Sequence, residues 1–410
     1  MFLNDLEFLQ ILIYTANFII SMIKYCKNCV YPEEKPDLKF DENGICDACR
    51  FQEIKDNINW GKRREELKNI LEKFRNKDSS NYDCIIPVSG GKDSHYQTYV
   101  IKKEFGLNPL LVAFRPREWT ELGRKNLENL KKSLNVDCIE VTPKHQVYKQ
   151  MQKVGFLDFG DASWPEHFGI FTTPFQVAVN YKVPLIIWGE NSQAEYGGPL
   201  EDSQNPNLDS NWRKKYGTQI KTKNDPDGFR DPEYMIKYGI EKKDLLPYIF
   251  PSDEDIERIG VIGIFLGHYI KWDAKKQLEI VKEIGFQVNN GPCEGTYTDY
   301  ENLDNKGQGL HDYMKWIKFG YGRATDNASV DIRHKRISRS EGIALVKQYE
   351  GKIPEQFLNE YLSDFELTKE QFFQTVDKFV NYDLFKTNNN GELLRDENGN
   401  LEKINYDNIN

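Results

Sequence analysis

The sequence predicts an α/β protein built on a parallel sheet, preceded by a small four-cysteine metal-binding unit and followed by a helical region. Three observations carry that expectation. Between residues 84 and 189, apolar runs of strand length alternate with stretches of helix length, as right-handed βαβ crossovers require. Four of the seven cysteines are crowded into residues 26–49, and beyond about residue 250 the pattern turns to helices. The 410 residues suffice for two or three such units. An apolar fraction of 39%, with 13% aromatics, excludes disordered and fibrous classes. With 55 Lys and Arg against 64 Asp and Glu, the formal charge is -9. That is opposite in sign to the basic footprint a phosphate backbone selects, so no nucleic-acid partner is expected.

In chain order, residues 1–21 are an extension whose apolar stretch, Phe8 to Ile20, is interrupted by Gln10, Thr15 and Asn17. It falls short of the roughly 20 apolar residues of a transmembrane helix, and it lacks the charge and cleavage site of a secretory signal. We expect an accessory amphipathic helix or a true start at Met22, no stable membrane insertion and a cytoplasmic protein. Residues 22–55 contain Cys26-Lys-Asn-Cys29, sixteen intervening residues, and Cys46-Asp-Ala-Cys49. This is the spacing of a zinc ribbon, each pair on a tight turn supplying two thiolates. Gly44 and the polar Lys39–Asn43 segment suit the chain reversal between the pairs. Four thiolates leave no open coordination position, so the expected Zn2+ is structural; an iron–sulfur cluster is the alternative.

Residues 56–250 are expected to form the α/β domain. A helix at Arg63–Arg75 and a polar stretch at Lys77–Tyr82 lead into the strand Cys84–Val88. Further strands are expected at Leu110–Phe114, Asp137–Val141 and Pro184–Gly189, with helices at Glu121–Leu134, around Gln146–Val154 and at Phe175–Tyr181. Residues 190–240, rich in Gly, Asn, Asp and Pro, read as a long functional insertion. Residues 251–385 read as helices, among them Ala274–Ile284, Tyr313–Phe319, Ser340–Glu350, Glu355–Leu362 and one opened by a capping box of Thr368 and Gln371. Residues 386–410, with Asn-Gly at 390–391 and 398–399, read as a polar tail or a hairpin.

The chemistry concentrates at Ser89-Gly90-Gly91-Lys92-Asp93-Ser94, between the first strand and a helix. Two glycines let the backbone approach a ligand, and N–H groups at a helix start favour an anion. Lys92 adds a mobile positive charge, and Ser89 and Ser94 add hydroxyl donors. The spacing is not that of a Walker A loop. It resembles instead the signature of the PP-loop ATP pyrophosphatases, enzymes of the adenine nucleotide alpha hydrolase-like (HUP) fold that cleave ATP to AMP and pyrophosphate. The resemblance implies that Ser89, Gly90, Gly91, Lys92, Asp93 and Ser94 bind ATP, with Lys92 stabilising the departing pyrophosphate and Asp93 helping to bind Mg2+. Thr120 and Gly123, after the second strand, stand where related folds hold adenosine.

Adding Glu118–Glu128, Trp188-Gly-Glu-Asn-Ser192 and Gly320–Asp326, most of residues 22–350 resemble the N-acetyl sugar amidotransferases. These convert an acetamido group of a bacterial surface sugar into an acetamidino group, in pseudaminic or legionaminic acid pathways or on uronic acids of lipopolysaccharide. The resemblance implies transfer of AMP to the acetamido oxygen and ammonia from a separate glutaminase with a cyclase-like subunit. The residues agree on one point, since none of Cys84, Cys138 or Cys293 sits in a nucleophile-elbow context, and Cys84 and Cys138 fall in expected core strands. Glu190 and Asn191 close the fourth expected strand, where ligands gather in parallel sheets. Glu190 is expected to bind Mg2+ or orient ammonia, and Asn191, Arg323 and Asp326 to contact substrate. The basic run Arg333–Arg339 reads as a solvated face. Cys293, in a loop after Asn289-Asn-Gly-Pro292, keeps open the alternative of a PP-loop sulfurtransferase acting on tRNA.

Overall fold

The computed structural model describes residues 23–217, 228 and 231–404, and the expected apolar helix at 8–20 and Met22 lie outside the described residues. Five strands form one sheet: β1 (Cys84–Pro87), β2 (Pro109–Phe114), β3 (Cys138–Val141), β4 (Leu185–Trp188) and β5 (Ile262–Phe265). Their order is β3-β2-β1-β4-β5 and every pairing is parallel. Period-two alternation divides their side chains between two layers. Ile86, Leu111, Ala113, Leu185, Ile187 and Ile264 share a core with Leu67, Leu71, Leu127, Leu130 and Val281 from the helices Trp60–Phe74, Glu121–Leu134 and Ala274–Glu283. Ile85, Leu110, Val112, Ile186 and Phe265 pack on Phe175, Val177 and Ala178 of the helix Trp164–Tyr181. Because both faces are covered, the strands are apolar nearly throughout.

Four of these strands were expected and β5 corrects the expectation, since it lies beyond residue 250 where the sequence suggests helices alone. Ile262-Gly-Ile-Phe265 is too short to show a period, and its strand state comes from the register with β4, Leu185 opposite Ile262 through Trp188 opposite Phe265. The α/β unit therefore continues past residue 250 to include the helix Ala274–Glu283. A second correction concerns the helix Trp164–Tyr181, which runs through Pro174 instead of starting after it. It approaches β2 closely at Gly169, where an added Cβ would sit 2.2 Å from the Phe114 ring.

The C-terminal helices surround their own core, in which Phe156 stacks on Phe365 and Phe372 at 5.4 and 4.9 Å. The capping box of Thr368 and Gln371 is present. The Gly-rich stretch at 320–326 opens a further helix, Arg323–Arg333. Of the two readings of the tail, the paired one holds: Phe385 bridges Lys403, Thr387 bridges Leu393 and Arg395 bridges Leu401, with Leu401 and Lys403 buried. Among the described residues no helix is long and apolar enough to cross a membrane.

Candidate functional site

The strand order turns at the β1–β4 pair, so a crevice opens beyond their carboxyl ends, where ligands bind in open parallel sheets. β1 feeds the Ser89–Ser94 loop and β4 feeds Gly189 and Glu190, so the two expected motifs meet there. The loop folds on itself: the Ser89 N–H donates to Ser94 Oγ at 2.9 Å and the Gly91 N–H to Ser89 Oγ at 3.2 Å. Gly90 has φ +102, and an added Cβ would lie 2.4 Å from the Gly123 carbonyl oxygen, so only glycine fits. Lys92, expected as a mobile charge, is buried; its Nζ donates to Asp93 Oδ1 at 2.5 Å and to Gln277 Oε1 at 3.2 Å. Burial opposes its charge, but Asp93, Glu301 and Glu190 outweigh that and raise its pKa.

The carboxylates around Lys92 are more numerous than the sequence suggested. Glu190 is pushed up to about 8, first by burial and then by Asp93. Glu301 is raised by burial and by Asp93 against the pull of Lys92. Asp304 is raised by burial and partly restored by a hydrogen bond with Ser89. Tyr196 is held protonated by burial and by Glu190 and Glu301. Asp93, Glu190 and Glu301 thus share the Lys92 ammonium, with Asp304 beside Asp93, an oxygen-rich setting that suits Mg2+. Glu301, Asp304 and Tyr196 were missed; the acidic spacing of Asp299-Tyr-Glu-Asn-Leu-Asp304 was the available signal.

Other expected site residues have structural engagements. Thr120 caps the helix Glu121–Leu134, its Oγ1 accepting from the Gly123 N–H at 2.9 Å and donating to the Leu303 carbonyl at 2.6 Å. Gly123 lets Asp304 pack so closely that a Cβ would lie 2.7 Å from its Cα. Both residues seat the 301–304 segment beside the phosphate loop, where adenosine contacts were expected of them. Asn191 caps the helix Ser192–Tyr196, and its amide donates to the carbonyls of Asp202 at 2.7 Å and Asn205 at 3.3 Å, which makes it a brace for the insertion. Asp326 accepts from Tyr31 Oη and Lys315 Nζ, each at 2.8 Å. Arg323 stands 3.5 Å from Asp312, and its Nε is buried without a hydrogen-bond partner. The basic run is not a solvated face: Arg333 is buried and donates to the Glu195 carbonyl, and Arg336 pairs with Asp331 at 2.9 Å. Cys84 and Cys293 are buried in the main core cluster, and burial pushes the Cys293 thiol up to about 12.

The second candidate centre is the N-terminal unit. The thiol sulfurs of Cys26, Cys29, Cys46 and Cys49 lie within 4.8 Å of one another, with Cys26–Cys49 at 3.9 Å and Cys29–Cys46 at 3.6 Å. A tetrahedron with metal–sulfur bonds of about 2.3 Å has edges of about 3.8 Å, so the four thiols fit a metal ion. Gly44, at φ +78, makes the expected reversal. The unit is fastened to the rest of the chain by Arg339, whose Nε donates to the Cys29 carbonyl at 3.0 Å, and by the buried Arg333 guanidinium beside the thiols.

With this geometry in place, three comparisons bear on the chain. Residues 294–397 match the family model described as "LPS biosynthesis protein WbpG-like, C-terminal domain". An uncharacterized protein of Methanocaldococcus jannaschii is 31% identical over 115 residues, which are 28% of this chain and 41% of that one. The chain thus spans about two fifths of the length of that curated relative. Among solved structures, NMN synthetase from Francisella tularensis aligns with 68% of this chain and 94% of its own at 14% identity and a TM-score of 0.30. The U34-tRNA thiolase NcsA from Methanococcus maripaludis, with its [4Fe-4S] cluster, aligns with 77% and 88% at 13% identity and a TM-score of 0.30. NH3-dependent NAD synthetase from Campylobacter jejuni aligns with 56% and 98% at 13% identity and a TM-score of 0.28.

Proposed function

We propose that this chain is an ATP-dependent, AMP-forming amidotransferase that converts the acetamido group of a surface-glycan sugar into an acetamidino group. The observation that carries this reading is the meeting of the Ser89–Ser94 loop with Glu190, Glu301 and Asp304 at the turning point of the parallel sheet. The match of residues 294–397 to a lipopolysaccharide-biosynthesis family model supports a sugar as acceptor.

An amide oxygen is a poor leaving group, and adenylation makes it a good one. The acetamido oxygen attacks the α-phosphorus of ATP, the bond to the bridging oxygen breaks, and pyrophosphate departs toward the loop N–H groups and Lys92. Ammonia adds to the imidate carbon, a nitrogen-bound proton is given up, and the carbon–oxygen bond breaks to release AMP and the amidine. Glu190, raised to about 8, accepts that proton in its ionised form, whose share grows as pH approaches 8. Mg2+, which Asp93, Glu190 and the neighbouring carboxylates would hold, supplies charge neutralisation for the phosphates. Zn2+ at the four cysteines is structural, since four thiolates complete its shell. With Cys84 and Cys293 buried and the Cys138 and Cys293 thiols both raised to about 12, the chain offers no ready glutaminase nucleophile among its described cysteines. A separate glutaminase with a cyclase-like subunit is therefore the proposed ammonia source. The same thiols weigh against a cysteine-borne sulfur transfer to tRNA.

The test is AMP formation assayed with ammonium chloride and a panel of a UDP-linked diacetamido uronic acid and free and CMP-linked diacetamido nonulosonic acids. AMP release that needs both ammonia and one of these sugars is expected. AMP formed only with tRNA, or not at all, would sink the proposal.

A further inference from the structure

A cavity of about 350 Å³ is lined in part by Tyr196 and Arg323, which both feel the charge of Glu301 in the carboxylate cluster. Its charge is unlike that of the chain. Five cationic side chains, Lys35, Lys215, Lys315, Lys318 and Arg323, line it against three acids, Asp37, Asp161 and Asp326, in a protein of net charge -9. Most of these are internally balanced: Lys215 pairs with Asp202 at 2.6 Å, Lys315 with Asp312 and Asp326 at 3.2 and 2.8 Å, and Asp161 accepts from His311 at 3.2 Å.

Lys35 and Lys318 are different. They are 8% and 7% exposed, and each ammonium donates to a backbone carbonyl, Gly197 for Lys35 and Gly160 for Lys318, both at 3.0 Å. Among the described residues neither has a carboxylate within ion-pair distance, whereas the buried Lys55 meets Glu195 at 2.5 Å. Burial lowers the pKa of Lys35 to about 8 and lowers that of Lys318. Asp326 and Asp161 offset that burial only from beyond ion-pair distance; a buried cation so incompletely balanced is costly to the fold, and in a cavity it suits an anionic ligand. The Nε of Arg323, 3.5 Å from Asp312 and without a hydrogen-bond partner, adds a third donor, and its charge also reaches Glu301.

We propose that this cavity is the acceptor's anion subsite, in which Lys35 and Lys318, with Arg323, bind a carboxylate or phosphate carried by the sugar. The identity of the ligand as the acceptor rests on the amidotransferase reading; the presence of an anion site does not. Lys35 belongs to the four-cysteine unit and Lys318 to the helix Gln308–Phe319, so the metal-binding unit supplies one wall of the subsite.

The test is calorimetric titration of the full chain with N-acetylneuraminate, its methyl ester, N-acetylglucosamine 1-phosphate and N-acetylglucosamine, beside α,β-methylene-ATP. At least one charged sugar is expected to bind, and the uncharged ones at least roughly tenfold more weakly. Binding of the first alone assigns a carboxylate, and binding of the phosphate alone assigns a phosphate. Lys35→Met and Lys318→Met should each weaken that binding roughly tenfold or more, while the arginine variants and binding of the nucleotide analogue change less than about threefold. Charged sugars that do not bind, methionine variants that bind as wild type, or equal loss of nucleotide would overturn the proposal. Should a methionine variant not fold, acetic anhydride labelling of the wild type decides: bound sugar should protect both lysines, and unchanged labelling overturns the site. Because binding is read without turnover, a chain that binds charged sugar here but never forms AMP refutes the amidotransferase reading alone.

Discussion

The two halves of the cleft carry opposite excess charge. On the nucleotide side, Asp93, Glu190 and Glu301 face the ammonium of Lys92, and Asp304 adds a fourth carboxylate beside Asp93. On the adjoining side, Lys35 and Lys318 are buried with backbone carbonyls as acceptors and, among the described residues, no carboxylate within ion-pair distance. Other buried lysines are paired with carboxylates, as Lys55 is with Glu195 and Lys315 with Asp312 and Asp326. Matched pairs cost little to keep and hold segments together; unmatched ones lower stability unless something outside the chain completes them. The difference therefore separates scaffold from site, and it divides the site into a part that calls for a cation with polyphosphate and a part that calls for an anion.

The largest expected effect falls on the nucleotide half. Lys92→Ala removes the ammonium that Asp93, Glu190 and Glu301 face, and AMP formation should drop by about 10²–10³-fold in a coupled assay. A variant with full activity would mean that the loop does not bind phosphate. Next comes removal of the metal. Because Lys35 is carried by the four-cysteine unit and donates to the Gly197 carbonyl, stripping the ion with a chelator should weaken charged-sugar binding roughly tenfold or more, while nucleotide binding, read in the same calorimeter, changes by less than about threefold. Equal loss of both would show that the metal supports the whole fold and not one half of the cleft. Elemental analysis of the untreated protein should find zinc.

How much of this was legible in the sequence follows from the range of the forces involved. The helix Glu121–Leu134 and the Thr368 capping box are encoded within a few residues, and the sequence places them correctly. The cysteine spacing and the Ser89–Ser94 loop are equally local. β5 is not, because its four residues become a strand only by pairing with β4. The same holds for Glu301 and Asp304, which lie some two hundred residues from the loop they face and are held there by Thr120 through the Leu303 and Asp304 carbonyls. Thr120 and Asn191 are expected at the site from their position, and the hydrogen-bond network shows them bracing other segments. The role of Arg333 was hidden for a simpler reason: a run of basic residues does not reveal that its first member is turned inward beneath the cysteines.

The smallest effect tests the contrast in charge through pH. Glu190 has a folded pKa of about 8 against an ordinary 4.5, so between those values the folded chain holds a proton that the unfolded chain has released. Stability must then fall as pH rises through that window, and the penalty is complete above about 8. Lys35 acts oppositely: its folded pKa of about 8 lies below the ordinary 10.5, the unfolded chain holds the extra proton, and stability rises as pH climbs between the two. Melting temperatures of Glu190→Gln should therefore match wild type near the acid end and exceed it by a few degrees above pH 8, while the gain from Lys35→Met should be largest below pH 8 and vanish toward 10.5. Mg2+ should shrink the Glu190 difference and leave the Lys35 difference unchanged, because a divalent cation completes only the carboxylate half. Glu166, also raised to about 8 by burial, stays in both proteins and cancels from the comparison. Parallel pH differences for the two variants would erase the division of the cleft into a cation-seeking and an anion-seeking half.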